Sequence, residues 1–521
     1  MRDPMAQPEL ARPTHTKVVA TLGPASEPPE MLDKLIAAGV SIFRLNFSHG
    51  DLEDHAKRLA NVRQAAQRSG QPVAVLGDLQ GPKLRVTGVP DLAPDGGIIV
   101  ETGSDILFRR NVSEAYIDPE TRLPVFGSTF DPLFHDVLPG QRVLINDGAI
   151  RMLAVDAIPG IELRCRVTVG GRITSRKGIN LPESDLHVPS ITDRDLQCVE
   201  WAVRHGLDFL ALSFVRTAAE VIDLKQRIAG LCSTDRAIHD QSAGLEIPVI
   251  AKIEKPQAIA NIESIVQAVD AIMVARGDLG VEMDVAYVPV AQRLIIKTCR
   301  EYGKPVIVAT QMLESMIESA SPTRAESNDV AGAVFQGADA VMLSGETAVG
   351  KHPALVVETM RRIIAVTESS IVDTTSEFAP APKLEELPYR SAALARGAWH
   401  IARESKATVV VVWSQQGGMA RYLSRSAFRI PIIAYSSSTV ATRQMTLLAN
   451  VNPVQAVPPP SGTLAEWTEM VEAYLREHGI AKDGDVAVLI AGKPLGGSRA
   501  QDLLALLRIG DRNSGFRAHD H

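Results

Sequence analysis

Cysteine is scarce in this chain: four among 521 residues, at Cys165, Cys198, Cys232 and Cys299. They lie far apart and form no C-x-x-C pair, so a disulfide framework or a thiolate zinc site does not fit. Four ordinary buried thiols in a reducing cytoplasm do. Long apolar runs are missing too. No stretch approaches the roughly 20 consecutive apolar residues that span a bilayer, so no membrane partner is expected. The opening segment, Met1 to Pro13, is polar and proline-rich, which does not suit a signal peptide; Met1 and Met5 both stand as candidate starts. Positive charge is not in excess either. The formal net charge is −7, with 54 Lys+Arg against 61 Asp+Glu. That argues against nucleic acid or an anionic surface as a partner.

What is present is ordinary globular composition, 45% hydrophobic and 22% charged. The length suggests about three domains, one of them a large barrel. Short runs rich in Val, Ile and Ala alternate with amphipathic stretches, the rhythm of parallel β/α units covered on both faces. The runs are Lys17–Thr21, Val40–Leu45, Val73–Asp78, Leu207–Ser213, Ile247–Ile253, Ala271–Ala275, Pro305–Ala309 and Ala340–Leu343. Helices are expected at Pro29–Ala38, Leu52–Arg68, Thr192–Arg204, Gln257–Ala268, Pro289–Tyr302 and Arg324–Gln336. Thr192/Asp195 and Thr323/Glu326 supply capping-box patterns for two of them. Eight such units close a (β/α)8 TIM barrel.

The spacing breaks once, between Asp78 and Leu207. The middle of that gap is rich in Gly, Pro, Val and Ile, with turn signals such as Asn146-Asp147-Gly148, and reads as an inserted β-rich domain. After a polar connector a second α/β pattern follows, an open doubly wound domain. The expected division is 1–15 N-terminal tail, 16–81 barrel, 82–182 insert, 183–370 barrel, 371–388 connector, 389–510 C-terminal α/β domain and 511–521 tail.

In a TIM barrel the chemistry gathers at the C-terminal strand ends. Arg44, Asn46, Ser48, His49, Asp78, Ser213, Lys252, Glu254, Arg276, Gly277, Asp278, Thr310, Gln311, Ser344 and Glu346 fall there. Glu254 and Asp278, on neighbouring strands, are hard oxygen donors of the kind Mg²⁺ takes one or two of. Lys252 is two residues from Glu254 and so shares its face of the strand. An ammonium beside a divalent ion suits a phosphoryl group in flight or an enolate oxygen. The competing reading is a plain buried lysine–glutamate pair. Arg44 has the planar fork for phosphate, against an ordinary rim ion pair. Backbone N–H groups near Gly277 and the Thr310 hydroxyl could hold a carboxylate.

Several segments, in order along the chain, resemble the pyruvate kinase family. They include Thr21-Leu22-Gly23-Pro24, Phe43-Arg44-Leu45-Asn46-Phe47-Ser48-His49-Gly50, Lys177-Gly178-Ile179-Asn180-Leu181-Pro182 and Ala251-Lys252-Ile253-Glu254. Ala275-Arg276-Gly277-Asp278-Leu279-Gly280, Ala309-Thr310-Gln311-Met312 and Leu343-Ser344-Gly345-Glu346-Thr347 continue the series. The resemblance implies transfer of the phosphoryl group of phosphoenolpyruvate to ADP, giving ATP and pyruvate in the last step of glycolysis. It implies Mg²⁺ on Glu254 and Asp278, with Mn²⁺ able to substitute. Lys252 would stabilise the transition state and enolate, and Arg44 would contact phosphate. Gly277, Asp278 and Thr310 would bind the substrate carboxylate, and Thr310 or Ser344 would relay the proton. His49, Arg85 and Lys177 would approach the nucleotide, Lys177 from an insert acting as a lid. It also implies a cytoplasmic, allosteric homotetramer.

Two places depart from the family. At the K⁺ positions, Asn46, Ser48, Asp78 and the next residue, the chain reads Gly77-Asp78-Leu79-Gln80-Gly81-Pro82-Lys83. K⁺-dependent members carry Thr at the place of Leu79 and Glu at that of Lys83. An ammonium at Lys83 is expected to serve instead, so K⁺ is not required; the competing reading sends Lys83 into solvent. In the C-terminal domain the effector loop reads Ser414-Gln415-Gln416-Gly417-Gly418-Met419, without the basic residue that suits fructose 1,6-bisphosphate; a nucleotide or sugar monophosphate stays open. The alternatives are an inactive metabolite-sensing homologue and a Mg²⁺-dependent enolate-forming lyase on the same barrel.

Overall fold

The computed structural model describes residues 14–93, 96–184, 189–234, 246–371, 390–426, 428, 430–460, 463–493, 495 and 501–511. Most of both expected tails and of the connector therefore lies outside the described residues. Eight parallel strands close a barrel: β1 (Lys17–Thr21), β2 (Val40–Asn46), β3 (Ala74–Asp78), β4 (Phe209–Leu212), β5 (Val249–Ile253), β6 (Ala271–Ala275), β7 (Val306–Ala309) and β8 (Ala340–Leu343). Closure runs through β8 and β1, with Lys17 opposite Ala340. Alternate side chains point inward, and Val19, Ile42, Leu76, Ile250, Met273 and Ile307 fill the barrel. The others face outward into the helical ring, so the strands read as continuous apolar runs.

Local signals place most of the helices. Both capping boxes form, Thr192 with Asp195 and Thr323 with Glu326. The expected helix at Gln257–Ala268 is two, Pro256–Ala260 and Ile262–Ala268. Asn261 divides them: its side-chain amide donates to the carbonyls of Arg216 and Gln257, competing with continued helical pairing. A further correction concerns Asp278. It is not on a strand but in the first turn of a helix, Arg276–Glu282, that starts directly after β6.

Between β3 and the helix Asp193–Arg204 the chain leaves the barrel to build a seven-stranded sheet and a two-stranded one. This insert has its own core, including Phe108, Phe126, Val143, Met152 and Val167. The Asn146-Asp147-Gly148 signal makes its hairpin, all three residues having positive φ (54°, 53° and 81°).

The C-terminal sheet comprises β9 (Val409–Trp413), β10 (Ile432–Ser436), β11 (Val451–Gln455), β12 (Val486–Lys493) and β13 (Gln501–Arg508), ordered β11-β10-β9-β12-β13. The first four are parallel; β13 runs antiparallel along β12. Apolar clusters cover both faces. This sheet docks on the N-terminal end of the barrel. Leu447 enters the barrel interior, and Arg443 and Arg425 pair with the buried Asp208 and Asp339. Lys17 Nζ donates to Val451 O at 2.7 Å. Of the cysteines, Cys165, Cys198 and Cys299 are buried; Cys232 is only partly so, correcting the expectation of four buried thiols.

Candidate active site

Lys252 is the hub of the C-terminal mouth. Its Nζ lies 2.8 Å from Glu254 Oε1, 3.3 Å from Asp78 Oδ1 and 2.8 Å from Ser213 Oγ. Position 252 faces the mouth because the extended strand puts residues 252 and 254 on one side. Asp78, at the end of β3, also accepts from Arg44 Nε at 2.7 Å, and Arg44 reaches the Thr21 hydroxyl at 3.1 Å. Glu254 Oε2 accepts from the Phe214 N–H at 2.7 Å. Phe214 holds φ at 56°, an uncommon region for a bulky residue, and this turn is what aims its N–H at the carboxylate.

The electrostatics follow from burial. Desolvation alone would lower the Lys252 pKa, but Asp78, Glu254 and Asp278 outweigh it, and the ammonium is held firmly charged. Burial would raise Asp78, but Lys252 and Arg44 prevail and lower it. Glu254 goes the other way, pushed up to about 7 by burial and by the charge of Asp278, which one shared ammonium does not offset. Two carboxylates thus press on each other beside a single lysine. That donor set fits a divalent cation, whose charge would relieve the repulsion and favour the ionised form of Glu254.

The β7 end is strained. Thr310 and Gln311 both take positive φ, 69° and 53°. The Arg276 guanidinium holds that turn, donating to Thr310 O at 2.6 Å and Gln311 O at 3.2 Å. The Gly277 N–H, expected to be open to a carboxylate, is capped by Thr310 Oγ1 at 2.7 Å, and that hydroxyl donates in turn to Ala309 O. Access therefore requires Thr310 to yield. A Cβ at position 277 would lie 3.3 Å from Thr310 Oγ1, so glycine keeps this approach close. Ser344 Oγ is buried and has no hydrogen-bond partner among the described residues, while its N–H donates to Glu346 Oε2 at 2.6 Å.

The remaining candidates gather less closely. His49 is exposed beside β2. Arg85 bridges to Gly178 across the insert, and its guanidinium donates to Arg176 O, which puts Arg85 and Lys177 on one edge of that domain. Asn46 Oδ1 already accepts from the Ser48 N–H at 3.1 Å. The side chain of Leu79 is buried and its carbonyl accepts from Ser213 Oγ at 2.6 Å. Lys83 is exposed and lines the cleft between insert and barrel with Asp147 and Asp278. No described hydrogen bond or ion pair joins it to Asn46, Ser48 or Asp78. The charge facing Asp78 comes from Lys252 and Arg44. Ser213 stands at the strand end where the sequence places it, but Phe214 is not legible there; its role depends on a tight turn with no pattern of its own.

Residues 13–357 match the family described as pyruvate kinase, barrel domain, and residues 392–507 match pyruvate kinase, alpha/beta domain. A pyruvate kinase of Geobacillus stearothermophilus is 38% identical over 499 residues, covering 95% of this chain and 80% of the relative. One from Mycobacterium intracellulare is 38% identical over 502 residues, covering 95% and 98%. The crystal structure of a pyruvate kinase from Cryptosporidium parvum superimposes with a TM-score of 0.85 at 31% identity, covering 98% of this chain and 99% of that one.

Proposed function

The chain belongs to the pyruvate kinase family, and on that premise we propose how its own residues carry phosphoryl transfer from phosphoenolpyruvate to ADP. The observation that bears most weight is the meeting of Lys252, Glu254 and Asp78 within 3.3 Å at the barrel mouth. Glu254 and Asp278 would hold Mg²⁺, or Mn²⁺ in its place, which when bound supplies Lewis-acid polarisation of substrate oxygens. The protein's task is positioning and charge neutralisation rather than covalent help. Lys252 presents its ammonium to the oxygen that becomes the enolate as the phosphorus–oxygen bond breaks. Arg44, anchored on Asp78, orients the phosphate, and the turn at Gly277, Asp278 and Thr310 receives the carboxylate. The methylene carbon then takes a proton through Thr310 or Ser344. The Thr310 hydroxyl is already engaged, whereas that of Ser344 is free to reorient, which favours Ser344.

His49, Arg85 and Lys177 meet the nucleotide, the insert at 82–182 closing over it and excluding water. We assign no K⁺ requirement: Leu79 has no hydroxyl, and Lys252 and Arg44 already set positive charge against Asp78, the part expected of Lys83, which is exposed and makes no described contact there. Fructose 1,6-bisphosphate is not expected to activate, since the Ser414 hydroxyl is buried and already accepts from the Ala420 N–H. No helix among the described residues is long and apolar enough to cross a membrane, which is consistent with a cytoplasmic enzyme. A homotetramer would cover the apolar side chains that Tyr287, Val290, Leu294 and Phe335 expose. Pyruvate formation from phosphoenolpyruvate, Mg²⁺ and ADP tests the reading. No turnover at all would mean an inactive homologue, and turnover without nucleotide would mean a lyase.

A further inference from the structure

The cleft between insert and barrel contains a junction outside the catalytic set. Glu282 is buried at 2% exposure, and its Oε1 takes two partners. Asn180 Nδ2, on the insert's strand Ile179–Asn180, donates to it at 3.0 Å, and Lys255 Nζ lies 2.8 Å away. One oxygen thus joins three segments. Lys255 directly follows Glu254 at the end of β5. Glu282 lies one helical turn beyond Asp278 in the helix Arg276–Glu282, so the two carboxylates share a helix face. Asn180 is three residues past Lys177. The Glu282–Lys255 pair joins two barrel segments and does not involve the insert. The Asn180 bond exists only while the insert rests on the barrel.

We propose that Asn180 and Glu282 are positioning residues: their hydrogen bond latches the insert over the barrel mouth and sets the apparent affinity for the nucleoside diphosphate. The proposal rests on the reading that the Lys177 edge of the insert meets the nucleotide. When only the latched arrangement binds the nucleotide well, apparent affinity falls with the latched fraction. A hydrogen bond to a buried carboxylate is strong enough to shift that fraction roughly tenfold. The substrate that sits on barrel residues alone is unaffected.

The experiment is steady-state kinetics of the full chain with each substrate varied. Asn180→Ala and Asn180→Ser should raise KM for ADP about tenfold and leave kcat and KM for phosphoenolpyruvate within about twofold. Asn180→Asp, which sets a second carboxylate against Glu282, should be worse. Adding Glu282→Gln to it restores a donor–acceptor pair and should recover much of the loss, a rescue that mere structural damage would not show. An unchanged KM for ADP, a parallel rise in both KM values, or no rescue in the double variant each overturns the latch. Lys177→Ala separates the two layers. If it leaves KM for ADP unmoved, the nucleotide reading falls and the latch with it. If it raises that KM while Asn180→Ala does not, the latch alone is wrong.

Discussion

Replacing Lys252 by methionine tests the centre of the mechanism. The substitution keeps the unbranched apolar stem, one heavy atom shorter, and removes one charge from a site where Lys252 touches Glu254, Asp78 and Ser213. Preorganised charge in such a desolvated place is worth at least as much as an oxyanion-hole donor, which supplies about 3–4 kcal/mol, so kcat should fall about 10³-fold. Folding should survive. Breaking a buried ion pair costs about 3–5 kcal/mol when it strands a charge. Here Asp78 retains Arg44, and Glu254, already pushed up to about 7, can take a proton instead. The assay is kcat for pyruvate formation, beside exchange of the pyruvate methyl hydrogens with deuterated water followed by NMR. Exchange needs the enolate but no phosphoryl transfer. Both rates should drop together if the ammonium neutralises the enolate oxygen. A folded K252M variant with kcat within tenfold of the parent, or with exchange unaffected, would refute the assignment.

Other outcomes are open to measurement. With tetramethylammonium as the only monovalent cation, the rate should stay within about twofold of that in K⁺; a collapse would show that the surroundings of Asp78 still need the ion. Lys17 is pulled down to about 8 by burial, with Arg361 adding and Glu368 opposing. Between that value and its unfolded value near 10.5 the unfolded chain binds more protons, so this group makes stability rise with pH through that window. Relative to Lys17→Met, the parent should therefore gain about 1 kcal/mol from pH 8 to pH 9 in urea unfolding, and a constant difference would contradict the burial argument. Val290→Asp combined with Tyr287→Asp places charge on the exposed apolar stripe and should lower the mass found by light scattering; an unchanged mass would remove that face from any interface.

The barrel was legible from residue pattern because parallel strands buried on both faces must be apolar along their length, and runs such as Ala271–Ala275 could be little else. The capping boxes at Thr192 and Thr323 were legible because they are complete within four residues. Even the facing of Lys252 and Glu254 was fixed by the two-residue period of a strand. Tertiary structure alone decided where Asp278 stands, since strand end and helix first turn look alike when the break falls between Ala275 and Arg276. It also brought Ser213, Phe214 and Asn180 to their partners and kept Lys83 apart from Asn46, Ser48 and Asp78. Those contacts join residues 40 to about 130 positions apart, and side chains so separated meet only through the closed path of the barrel and the seating of the insert, which no local propensity encodes.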